Sequence, residues 1–202
     1  TKVRGVHWQV GKTGVVTPVA DFDPVEILGS TVSQASLSNP DELERFNLKE
    51  GDDIAVIKAK EIIPKIVMNY GGGNPDKPFT VPESCPSCGK PLLKGGPVLY
   101  CKNSYCPDVL ASKLAFIARK DVLDISGFGI EICKYIVNDT LFHSRYSFTF
   151  DDLFWHTEEE FDGLGEKRAK NLASAMQHAM DTPHPFRNWL PSLCMEGVGH
   201  TA

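Results

Sequence analysis

No stretch of the 202 residues approaches the eighteen or so consecutive apolar residues that cross a bilayer. The chain also lacks the charged and then apolar beginning of a secretory signal, and its first residue is Thr1 rather than Met. These absences predict a cytoplasmic protein with no membrane partner, reduced cysteines and a cut N-terminus.

An excess of positive charge is missing as well. The chain has 21 lysines and arginines against 26 acidic residues, a formal net charge of −5. This balance disfavours DNA binding through a broad basic surface. It leaves room for binding in which backbone N–H groups contact most of the phosphates.

Four of the six cysteines are arranged in two close pairs. Two residues separate Cys85 from Cys88, twelve lie before Cys101, and four separate Cys101 from Cys106. This spacing predicts a tetrahedral Zn²⁺ site with all four positions filled by protein, and therefore a structural site. Two disulfides, or cysteines scattered through a core, are the alternatives.

The remaining cysteines, Cys133 and Cys194, have apolar neighbours and are predicted to be reduced core residues.

Short apolar runs separated by turn residues predict β-structure over residues 1–70. The stretch Asp21–Pro24 has the composition of a turn between strands. Asn39 followed by Pro40 and two acids predicts a capped helix ending near Phe46. Five short strands and one small helix indicate a β-barrel of the OB type, although periodicity alone also allows an SH3-like barrel.

The rest of the chain divides by composition. Glycines and prolines over 71–83 predict a linker, 84–108 is the zinc finger, and 109–202 is helical. The fold class is therefore multidomain α+β, with a small OB-type β-barrel, a four-cysteine zinc finger and an all-α helix-hairpin-helix domain.

Within the helical part a Gly-x-Gly phrase occurs three times. Its first glycines lie 36 and then 34 residues apart, which indicates a repeated unit; the glycines are Gly127 and Gly129, Gly163 and Gly165, and Gly197 and Gly199. Each pair precedes a helix, so free N–H groups and a helix N-terminus would face a phosphate. The phrase therefore predicts helix-hairpin-helix contacts to the DNA backbone, cut short in the third unit, with a tight inter-helix turn as the alternative.

Lys167 and Arg168 follow the second hairpin and would add positive charge at phosphate height. A solvated charge run is the alternative for these two residues.

The order of barrel, cysteine module and glycine hairpins resembles the NAD⁺-dependent DNA ligases of bacteria. The phrase Val10–Ala20 resembles the entry to that family's OB domain, and the stretches 31–42 and 51–64 resemble its later signatures.

The resemblance implies a three-step reaction that seals a 3′-hydroxyl to a 5′-phosphate at a nick in duplex DNA during replication and repair. NAD⁺ and Mg²⁺ would serve the complete enzyme. The family's nucleophilic lysine lies in a Lys-x-Asp-Gly context within a nucleotidyltransferase domain, and no such motif occurs here. This implies no catalytic residue on the chain, which is expected not to ligate DNA alone.

The resemblance also suggests DNA or active-site contacts for Lys12, Thr13, Lys58 and Lys60. Lys12 and Lys58 stand where the family has arginine, which preserves the charge but loses the bidentate fork for phosphate. Exposed lysines without such a role are the alternative. A non-catalytic DNA-binding module, one chain of a split ligase that needs a separate adenylation subunit, and a different repair factor are the other functions the sequence allows.

Overall fold

The computed structural model describes residues 1–59, 62–143 and 163–188, with the side chains of 139–143 excepted. Contacts divide the chain into two compact units: the first comprises Thr1–Val10 and Gly14–Lys102, the second Gly11–Thr13 and Asn103–Ala202. No helix in the described ranges is long and apolar enough to span a membrane.

The first unit is built on two antiparallel sheets. One contains β1 (Val3–Val10), β2 (Val15–Ile27), β3 (Ser30–Ser36), β6 (Leu92–Gly95) and β7 (Val98–Cys101), and the other is the hairpin of β4 (Asp53–Ala59) and β5 (Ile63–Gly71). β2 is the central strand, because it pairs with β1, β3 and β7. A bridge between Lys2 and Asp53 connects the two sheets, so that the strands curl around one core.

The core of this unit takes residues from both sheets and from helix α1 (Pro40–Phe46). Phe22 and Ile66 come from the sheets and Leu43 from the helix, and each is at most 3% exposed. The helix begins as the sequence predicts: the Asn39 side chain accepts a hydrogen bond from the Glu42 N–H at 2.9 Å, and Pro40 occupies the first turn.

Two local features differ from the sequence predictions. The predicted turn at Asp21–Pro24 is wrong, because β2 runs through it as one strand. A bulge between Asp21 and Val25 absorbs Pro24, which has no N–H for the ladder.

The predicted linker also contacts the barrel. The Gly73 N–H donates to the Asp52 carboxylate at 2.9 Å and the Phe79 N–H to the Leu48 carbonyl at 3.2 Å.

The second unit contains three helices in its described part: α2 (Pro107–Ile117), α3 (Ile130–His143) and α4 (Glu166–Asp181). Their apolar stripes form one core that includes Leu114, Cys133, Ile136, Leu172 and Met176. Burial raises the pKa of the Cys133 thiol to about 12, so this cysteine is the inert core residue that the sequence predicts. Cys194 lies outside the described residues.

Candidate metal centre and nucleic-acid interface

The four paired cysteines meet at one point. Their Sγ atoms all lie within 4.8 Å of one another, and the Cys88 and Cys101 sulfurs are 3.6 Å apart. A disulfide would need about 2.05 Å, and the four cysteines are free thiols. Four sulfurs about 2.3 Å from a tetrahedral ion are about 3.8 Å from each other, so the group fits a single metal ion.

The local backbone aims the first two sulfurs. The Cys85 N–H donates to the Lys90 carbonyl at 2.8 Å, and the Gly89 N–H donates to the Cys85 carbonyl at 2.9 Å. Gly89 has a φ of 68°, a left-handed conformation that glycine adopts without strain. The loop therefore turns tightly enough to bring Cys88 back beside Cys85.

The other two sulfurs are held by secondary structure. Cys101 ends β7, and its N–H donates to the Gly14 carbonyl at 2.8 Å. Cys106 is fully buried and caps the N-terminus of α2, where the partial positive charge of a helix favours a thiolate. The arrangement can hold a metal with no position open for a substrate.

Gly14 makes the approach of β7 possible. A Cβ atom at this position would lie 2.3 Å from the Cys101 carbonyl oxygen, and Gly14 also has a φ of +81°. The glycine in the turn after Lys12 is therefore required by close backbone packing.

The candidate DNA-contacting lysines have partners within the protein. The Lys12 ammonium lies over the Phe116 ring, 3.5 Å from its centroid, and Lys58 donates a hydrogen bond to the Ser30 hydroxyl. Thr13 is exposed in the turn beside Lys12, and Lys60 lies outside the described residues. The cation–π contact with Phe116 could not be read from sequence, because the two residues are 104 positions apart.

Both described Gly-x-Gly phrases stand at the start of a helix. The Gly129 carbonyl accepts from the Cys133 N–H at 3.1 Å in the first turn of α3, and Gly165 is the N-cap residue of α4. Phe128 between the first pair is buried and Leu164 between the second packs against the helical core, as predicted.

The two phrases differ in backbone geometry. φ is positive at Gly127 in the first and at Gly165 in the second, so they are not copies of one turn. Gly197 and Gly199 lie outside the described residues.

Gly127 and Arg168 share a groove of about 600 Å³. Its other described lining residues are Ser126, Asn171, Leu172, Ser174, Ala175 and His178. Lys167 and Arg168 are both exposed on the first turn of α4, but only Arg168 lines the groove. The sequence analysis missed Asn171 and His178; their spacing of three and ten residues from Arg168 on a helix is the signal that could have found them.

The fold and the cysteine group define an OB-fold protein with a candidate four-thiolate metal centre. A family model described as the NAD-dependent DNA ligase OB-fold domain matches residues 1–74.

Curated relatives match far beyond those residues. A DNA ligase of Sulfurovum sp. (strain NBC37-1) is 35% identical over 207 residues, covering 100% of this chain and 31% of the ligase. A DNA ligase of Wolinella succinogenes is 38% identical over 181 residues, covering 87% of this chain and 27% of the ligase. The chain belongs to the NAD-dependent DNA ligase family, as its sequence features suggested, and spans about a third of the length of these relatives.

Proposed function

We propose that this chain is the part of an NAD⁺-dependent DNA ligase that holds nicked duplex DNA while a 3′-hydroxyl and a 5′-phosphate are joined. The match of the whole chain to DNA ligases, together with the OB-fold match, carries the proposal. The adenylation step, with NAD⁺ and Mg²⁺, would belong to a nucleotidyltransferase domain or subunit that acts with this chain.

The metal centre would hold Zn²⁺ and serve structure. Cys85, Cys88, Cys101 and Cys106 would bind the ion as thiolates, and bound zinc would supply cross-linking of β7, the Cys85–Cys88 loop and the start of α2. All four ligands come from protein, which leaves the ion no part in the sealing reaction.

The glycine turns would form helix-hairpin-helix contacts to the DNA backbone. The N–H of Gly129 makes no hydrogen bond to any residue in the described ranges, and a Cβ atom there would meet nothing within 4 Å. An exposed donor at the N-terminus of the 14-residue helix α3 suits a phosphate oxygen. Contacts of this kind position duplex DNA without reading its bases.

Lys12 and Lys58 would add phosphate contacts from the first turn and from β4. Both ammonium groups already have a partner in the protein. Their contribution should therefore depend strongly on salt, as is general for lysine–phosphate contacts.

The test is the affinity of the 202-residue chain for a duplex with one central nick, measured by fluorescence anisotropy over a salt series. We expect binding that weakens as salt rises, with tighter binding to the nicked duplex than to the intact one. Gly129→Leu should weaken binding at least tenfold, since a large side chain would hold a phosphate away from the α3 N-terminus.

Gly129→Ala is the matched control, because it also removes the glycine but adds only a methyl group into open space. We expect a much smaller loss for Ala than for Leu, with unchanged thermal unfolding for both variants. Equal and unchanged affinities would contradict the hairpin assignment, and no duplex binding by the unmodified chain would contradict the proposed function itself.

A further inference from the structure

The groove between the Gly127 turn and helix α4 has a distinct chemistry. Arg168, Asn171 and His178 line one wall of it from α4, and Ser126 and Gly127 line the other. None of its described lining residues is acidic. The groove is therefore suited to an anionic ligand.

The polar groups in the groove are available. The side chains of Arg168, Asn171 and His178 form no ion pair or hydrogen bond with any residue in the ranges that the structure describes. The Gly127 N–H likewise has no partner among those residues. Four potential donors thus face one groove without an internal acceptor.

The length of the groove limits what it can hold. Arg168 and His178 are ten residues apart on one helix, which corresponds to about 15 Å along its axis. One strand of duplex DNA has a phosphate for about every 3.4 Å of helix axis. The groove is long enough for more than one phosphate of a single strand and too long to be matched by one free phosphate.

The floor of the groove is apolar. Leu172, which is 3% exposed, and Ala175 lie between the polar residues along α4. Deoxyribose presents C–H groups between successive phosphates, and an apolar floor flanked by donors matches that alternation.

We infer that this groove binds the sugar-phosphate backbone of one DNA strand, with Arg168 and the Gly127 N–H on one phosphate and His178 on another further along. Asn171 lies between these ends and donates to the intervening backbone. The inference rests on the proposed function, and it assigns to the DNA grip a face of α4 that lies outside the Gly-x-Gly turns.

The test compares two substitutions that each add one negative charge to α4 at nearly constant size. Asn171→Asp places a carboxylate inside the groove, whereas Gln177→Glu places one on a part of α4 that does not line it. We expect Asn171→Asp to weaken nicked-duplex affinity about tenfold more than Gln177→Glu, because the added charge lies beside the bound phosphates. Arg168→Gln should lower the salt-dependence slope by about one.

Amide NMR spectra of the 22.3 kDa chain supply the second readout. Adding the nicked duplex should shift the Gly127 amide and the Arg168 Nε–H signals, whereas inorganic phosphate at the same phosphate concentration should shift them far less. Similar shifts with inorganic phosphate would show an anion site without strand recognition and overturn the inference.

Each outcome can be told apart. Equal losses in Asn171→Asp and Gln177→Glu, with intact duplex binding by the unmodified chain, would overturn the groove and leave the proposed function standing. Absence of duplex binding by the unmodified chain would overturn both. Far-ultraviolet circular dichroism checks that α4 is retained in each variant.

Discussion

The OB core and the cysteine segment hold together by different means. Ten apolar residues form the OB core, among them Phe22, Leu43 and Ile66. From Ser84 to Cys101, by contrast, the buried residues are Cys85, Leu99 and Cys101. The comparison indicates that the hydrophobic effect stabilises the first region, whereas the second needs a metal to replace the core it cannot build.

Loss of a metal ligand should have the largest effect. We expect Cys101→Ser to lower the bound zinc from one ion per chain to nearly none, since structural zinc sites depend on all their thiolates and bind with about 10 kcal/mol or more. The β6–β7 amides should then exchange rapidly while those of β4 and β5 stay protected. Elemental analysis and hydrogen exchange measure the two effects.

Cys133→Ala is the matched control for that substitution. It removes a cysteine from the helical core, away from the metal cluster, so zinc content should be unchanged. Full protection of β6 and β7 in the metal-free Cys101→Ser variant would contradict a structural role for the metal.

The apolar core should respond in the opposite way. Leu43 is 1% exposed, and Leu43→Ala should lower the free energy of unfolding of the OB core by about 3 kcal/mol through lost burial and a residual cavity. Urea unfolding monitored on OB-core signals measures the loss, and zinc content should be retained. A loss of zinc without a loss of core stability would reverse the comparison.

Close packing between the two regions can be tested at Gly14. Gly14→Ala should destabilise the pairing of β2 with β7 by about 2 kcal/mol, because the methyl group would meet the Cys101 carbonyl and the residue has positive φ. Gly29→Ala is the control, since Gly29 also has positive φ but open space at its Cβ position. Equal losses measured by urea unfolding would assign the whole effect to backbone strain.

The smallest effect is expected at Asp52, which is 2% exposed. Burial acts to raise the pKa of its carboxyl, but hydrogen bonds from the Asn69 side chain and the Lys49 and Gly73 N–H groups outweigh burial and lower it. A lowered pKa stabilises the folded state above the unfolded value of about 3.9 and ceases to do so as pH falls through the folded value.

Asp52→Asn should therefore cost about 1.5 kcal/mol of unfolding free energy at pH 7. The difference from the unmodified chain should shrink as pH falls below about 4. Urea unfolding across pH measures this trend, and a difference that is constant with pH would show that ionisation of Asp52 does not contribute.

Local signals were the ones that sequence could carry. The Asn39 cap, the Pro40 start and the end of α1 near Phe46 are contained in one short stretch, and all are confirmed. The four-cysteine spacing is equally local, and the four sulfurs do meet. The domain boundaries at 70, 83 and 108 stay predictions.

Non-local pairing was beyond the sequence. The turn predicted at Asp21–Pro24 failed because pairing with β1 and β3 on either side keeps β2 extended through a bulge. The placement of Lys12 over Phe116 and the meeting of Gly127 with Arg168 depend on packing between distant residues. Composition and periodicity carry no record of such contacts.

The most direct test of the central claim is a nick-sealing assay with NAD⁺ and Mg²⁺ that combines this chain with a separately produced nucleotidyltransferase domain of an NAD-dependent ligase. We predict no sealing by the chain alone, weak or no sealing by the added domain alone, and substantially faster sealing when both are present. Retention of nicked DNA by the chain with no gain in sealing rate would contradict a role in ligation and favour a non-catalytic DNA-binding module.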